Sequence, residues 1–148
     1  MAHSRKKANR AARSLILPQS AEELARAIVT DAVLKKPGGW TYDPRLCQCL
    51  EFDSNTNPRL YVISVEKHEL RLMKAPDEKI IRAWLEPRME LLSRPGYYIG
   101  CWCHKGTYFL DVSLLIQGWA SARRMAKANH QRGIYHPRSG RTIFLQAY

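Results

Sequence analysis

Residues 96–135, GYYIGCWCHKGTYFLDVSLLIQGWASARRMAKANHQRGIY, constrain the fold more than any other stretch. Two runs rich in aromatic and β-branched residues, 97–103 and 107–115, flank the turn His104-Lys105-Gly106, which is the pattern of a hairpin. Residues 118–129 have helical spacing, with Ala122, Met125, Ala126 and Trp119 inward and Arg123, Arg124 and Lys127 outward. Residues 134–136 and 141–145 then predict two short strands around Pro137-Arg138-Ser139-Gly140. A chain with this centre must lay a helix against an antiparallel pair.

The upstream half supplies the rest of the core. Ser20 and Glu23 form an S-x-x-E capping box, and Ala21, Leu24, Ala25, Ile28, Val29 and Ala32 follow as one helical stripe. Pro37-Gly38-Gly39 stops that helix. Residues 38–44 read as a turn-rich lead-in. Over 46–52, Leu46, Leu50 and Phe52 alternate with Cys47, Cys49 and Glu51, as in a strand. The polar loop 53–58 leads to 59–65 (RLYVISV), apolar on both sides and therefore a central strand; a long hairpin joining these two strands is expected. Pro76-Asp77-Glu78 opens a second helix carrying Ile80, Ile81, Trp84, Leu85, Leu91 and Leu92, which Pro87 should kink or split. The crossover of about 30 residues between strands 59–65 and 97–103 fits a βαβ unit.

These elements predict one small α+β (or α/β) domain over 20–148, behind a basic arm at 1–19. The expected order is α-ββ-α-ββ-α-ββ, with a mixed or antiparallel sheet of about four to six strands and the helices packed on one side.

Lys and Arg outnumber Asp and Glu by 24 to 13, a net charge of +11. The excess sits at the ends: residues 1–19 carry five positives and no acid, and 101–148 carry seven against Asp111 alone. Such ends attract polyanions, so nucleic acid or an acidic protein surface is the expected partner. The binding residues are then Arg5, Lys6, Lys7, Arg10 and Arg13 on the arm, with Arg123, Arg124 and Lys127 as a second patch. If all five arm charges met duplex phosphates, a fourfold rise in salt would weaken binding roughly 500-fold. No apolar run approaches the 18–20 residues of a membrane span, so no membrane partner is expected. The opening lacks the apolar core of a secretory signal; its Arg-rich, acid-free character also suits a transit peptide, but cytoplasmic residence is the expectation.

Two further constellations carry alternative chemistries. Cys47-x-Cys49 and Cys101-x-Cys103 each place two thiols on one strand face, and the four would hold a tetrahedral zinc if the strands were neighbours. Zinc knuckles, however, favour C-x-x-C in a turn, and buried core thiols explain the same residues. No cofactor is therefore expected, with zinc the alternative for a metal-stabilised interaction module. His130, Tyr135, His136 and Arg138 contain the parts of a small metal-free RNase, a proton-transfer group and a phosphorane-stabilising cation. A helix C-terminus and a polar turn account for them equally well.

Trp40, Tyr42, Trp102 and Tyr135 would stack on bases if exposed, or pack the core if not. Asp111 would orient an arginine across the sheet or lie on a solvated face. Neither a glycine-rich phosphate loop nor a carboxylate pair for a metal-dependent nuclease is present.

The succession GGWTYDPR, LLSRPGYYIGCW, YFLDVSLLI and SARRMAKANHQRGIY resembles a group of short α/β proteins from actinobacteria and their phages, over roughly residues 38–145. That group has no established activity, so the resemblance implies a fold and a source only. Together these readings lead to a non-enzymatic accessory protein of a phage or mobile element that binds a polyanion electrostatically.

Overall fold

The computed structural model describes residues 17–145, and their architecture is α+β. Helix α1 (Ala21–Ile28) begins where the capping box predicts, the Ser20 hydroxyl accepting from Glu23 N at 3.2 Å. It continues as a π-type turn over Val29–Val33. Helix α2 (Glu78–Leu85) is capped by Asp77, whose carboxylate accepts from Ile80 N at 2.8 Å. Pro87 then divides the segment as expected: a 3₁₀ turn, Glu86–Arg88, separates α2 from the short α3 (Met89–Leu92). Helix α4 spans Trp119–Ala128.

The strands are β1 (Gly39–Asp43), β2 (Gln48–Cys49), β3 (Leu60–Ser64), β4 (Leu70–Leu72), β5 (Tyr97–His104), β6 (Thr107–Gln117), β7 (Gly133–His136) and β8 (Arg141–Phe144). They form one eight-stranded sheet in the order β2-β1-β5-β6-β3-β7-β8, with β4 also paired to β6 and every pair antiparallel. The strand count exceeds the expected four to six because β1 and β4 carry no clear alternating signature. Residues 39–43, read as a turn, are a strand. Of the expected strand 46–52 only two residues pair, because Asp43 accepts from Arg45 N and Leu46 N and holds residues 44–47 in a turn. The expected hairpin between 46–52 and 59–65 is therefore replaced by a β1–β2 hairpin at one edge. Strand β3 lies between β6 and β7, central as its two-sided apolar character predicts. Since β3 and β5 both run antiparallel to β6, they are parallel to each other, and the α2–α3 crossover passes over one strand.

Strand alternation decides the layers. Leu110, Val112, Leu114 and Ile116 of β6 share one face, and the described helices pack there in two clusters. The larger joins Leu24 and Ile28 of α1, Ile81 and Leu85 of α2 and Leu92 of α3 to Trp40, Tyr42, Ile99, Leu110 and Val112. The smaller joins Ala122 and Ala126 of α4 to Ile63 and Ile134. Each large side chain so buried contributes about 1.5–3 kcal/mol of transfer free energy. Among the described residues, no helix lies on the opposite face, which carries the odd-numbered side chains of β6.

Candidate functional site

The centre of the helix-free face is built around Asp111. This side chain is 1% exposed, and three donors converge on its carboxylate: Ser113 Oγ at 2.7 Å on Oδ1, then Ser64 Oγ at 2.8 Å and Trp102 Nε1 at 3.3 Å on Oδ2. Burial pushes its carboxyl above the usual range; the bonds from Ser113, Ser64 and Trp102 act against that rise, and nearby Glu69 adds to it. Room for the carboxylate comes from Gly100, its registered neighbour on β5, where a Cβ would lie 2.6 Å from Asp111 Oδ1 and overlap Ser113 Oγ. Asp111 thus neither pairs with an arginine nor faces solvent, as the sequence suggested; it anchors an indole.

That indole starts a row across the sheet. Trp102 pairs in register with Phe109, and their rings stack at 4.1 Å between centroids with planes 14° apart. Phe109 pairs in turn with Arg71 on β4, whose guanidinium carbon lies 5.7 Å from the phenyl centroid. His104 stands beside the indole at 6.3 Å. Trp102 keeps 42% of its surface exposed, a large exposure for a tryptophan in the middle strands of a sheet.

The other aromatics divide by strand parity. Trp40 and Tyr42 belong to the buried core, while Tyr135 is 37% exposed on the helix-free face. Arg123, Arg124 and Lys127 are exposed on α4, across the sheet from the aromatic row. Arg5, Lys6, Lys7, Arg10 and Arg13 lie outside the described residues.

No family matches this chain. Neither a curated protein nor a solved structure matches it.

The remaining candidates are not gathered into one centre. Strand β1 stands between β2 and β5, so the two cysteine pairs are separated by two strand spacings, about 10 Å. Cys47 sits in the turn with φ +54°, not in a strand. Among the described residues, no three His, Cys, Asp or Glu side chains are placed to hold a metal ion. Burial pushes all three of the Cys47, Cys49 and Cys101 thiols up, Cys101 to about 12 with Asp111 adding to the rise.

His130 Nδ1 lies 3.1 Å from Glu66 Oε1. His136 has both ring nitrogens engaged at 2.6 Å, Nε2 donating to Pro58 O and Nδ1 meeting Ser139 Oγ. Arg138 donates to Thr56 O at 3.0 Å. Glu66 and Pro58 follow and precede opposite ends of β3, which puts the two histidines on the order of 20 Å apart. Tyr135 points to the face opposite its neighbour His136, whose ring packs on Tyr61.

Sequence reasoning named Trp102 but missed Phe109, Arg71, Gly100, Ser64 and Ser113. Phe109 and Ser113 share the parity of Asp111 on one strand, which was a usable signal. Arg71 had none, because a three-residue strand has no periodicity to read.

Proposed function

We propose that this chain is a non-enzymatic module that binds single-stranded nucleic acid, with bases stacked on the helix-free face and phosphates attracted by the chain's net positive charge. The observation that carries this reading is the row Trp102–Phe109–Arg71. A solvent-facing indole hydrogen-bonded to Asp111 offers a flat π surface, and Arg71, itself ion-paired with Glu69 at 3.2 Å, continues the row. Base–aromatic stacking of that kind is worth about 1–3 kcal/mol per base and tolerates any sequence. An acidic protein surface would be drawn by the same charge, but its carboxylates are not attracted to the electron-rich face of an indole as stacked bases are. The basic arm joins the proposal through sequence alone, as does the role of accessory protein in a phage or mobile element.

The test is binding of labelled single-stranded and duplex oligonucleotides at 50 and 200 mM salt, with polyglutamate as a competitor. Single strands should bind more tightly than duplex. If the five arm cations contact phosphate, the single-strand affinity should fall about 100-fold between the two salts. A flat salt response, or equal displacement by polyglutamate, would overturn the reading.

A further inference from the structure

The aromatic row is one member short. Its registered positions run Gly39 on β1, Trp102 on β5, Phe109 on β6 and Arg71 on β4. Phe109 covers one side of the indole, and the Arg71 guanidinium continues the stack beyond it. The other side of the indole faces β1, where the partner residue has no side chain. Gly39 is exposed with φ +150°, a backbone conformation that strains an L-residue, and a Cβ there would meet Cys101 O at 3.1 Å and Trp102 Cα at 3.5 Å. Around the preceding Gly38, an added Cβ would meet nothing within 4 Å. Gly39 therefore places no side chain beside the free face of the indole, although its backbone runs close to Cys101 O and Trp102 Cα.

We propose that this gap is a slot for one nucleobase, lying on the free face of Trp102 above Gly39 and extending the stack by one ring. The inference rests on the nucleic-acid reading and deepens it by naming one base site. Neighbouring strands are about 4.8 Å apart, so a planar group above β1 lies near stacking distance from a ring above β5. The indole N–H already donates to Asp111, so the base meets only a π face and is taken without regard to its identity. The small cavity of about 40 Å³ near Gly39 is lined by Val33, Trp40, Cys101 and Tyr108 and so opens on the helix side of the sheet, apart from this slot. With Trp102 42% exposed, the slot is a shelf on the open surface and not an enclosed pocket. Exposed Lys35 precedes the glycines, and exposed Lys105 lies in the turn after β5; both cations would attract a phosphate backbone.

The experiment compares the full chain with Trp102→Ala and Trp102→Phe in binding twelve-residue oligothymidylate, with thermal midpoints measured for all three. Trp102→Ala should weaken binding on the order of 10- to 100-fold, the magnitude of one lost base stack. Its slope of log affinity against log salt should stay unchanged, because no ionic contact is removed. Trp102→Phe keeps a stacking ring and should remain within about threefold of the unaltered chain. Tryptophan fluorescence of the unaltered chain should be quenched on binding, and Trp102→Phe should lose most of that quench, a readout that stands even if Trp102→Ala does not fold. An unaltered affinity in Trp102→Ala overturns the slot and base stacking on the row together, leaving only the electrostatic part of the reading, which the salt series tests on its own. An undiminished quench in Trp102→Phe overturns the slot alone. Failure of the unaltered chain to bind any single strand overturns both.

Discussion

At the scale of single residues, Asp111 and Gly100 form one unit. A methyl group at position 100 would overlap Ser113 Oγ and crowd Asp111 Oδ1, forcing the network apart. Gly100→Ala should therefore destabilise the fold by about 1–3 kcal/mol, the usual range for overpacking. Urea unfolding measures this, and the exposed Gly38→Ala serves as the neutral comparison. Asp111 also makes a prediction in pH. Its folded pKa is raised, so the folded state holds a proton that the unfolded state releases from about 3.8 upward. The stability associated with this residue is then fully present below the unfolded value and declines as pH rises through the folded one. Unfolding free energies of the parent chain minus those of Asp111→Asn should fall across that acidic window; a flat or rising difference would count against the buried carboxyl. The sequence exposed Asp111 as the one acid of its half. It could not show the burial, since Ser64 approaches from a strand 47 residues away.

At the scale of elements, local signals were strong where the chemistry was local. The Ser20 cap, the Pro87 break and the β5–β6 hairpin all stand where residue types put them. Both residues of the hairpin loop have positive φ, Lys105 at +50° and Gly106 at +80°, which is the type I′ geometry. Gly106→Ala should cost roughly 1–2 kcal/mol, because a Cβ opposes the left-handed conformation. Lys105→Asn should recover a few tenths of a kcal/mol, since Asn tolerates that region better. Thermal unfolding of both variants checks the pair; equal midpoints would mean the loop had rearranged. Strands β1 and β4 escaped notice for a complementary reason. Gly38-Gly39 and Pro44 frame β1 as a turn, and only pairing with β5 makes it a strand.

For the whole molecule, the two helix clusters share the long strand β6, and Cys101 lies between β1 and β6 near the middle of that layer. It is 5% exposed and its thiol is pushed up to about 12, so the thiolate is scarce at neutral pH. Labelling with a thiol reagent near pH 8 should modify Cys101 only at the rate of global unfolding, while half-buried Cys47, Cys49 and Cys103 react sooner. Mass mapping of the labelled peptides gives the answer, and early modification of Cys101 would show that the sheet opens locally.

The sequence by itself determined the α+β class, the positions of the helices, the hairpin and the alternation of each clear strand. Those follow from interactions within a few residues, where caps, glycines and periodicity act directly. Tertiary structure alone decided which strands became neighbours. That choice set β1 between the cysteine pairs, put His130 and His136 at opposite ends of β3, and aligned Gly39, Trp102, Phe109 and Arg71 in one row. Alternation tells a side chain which face it occupies; only long-range pairing tells it what stands beside it.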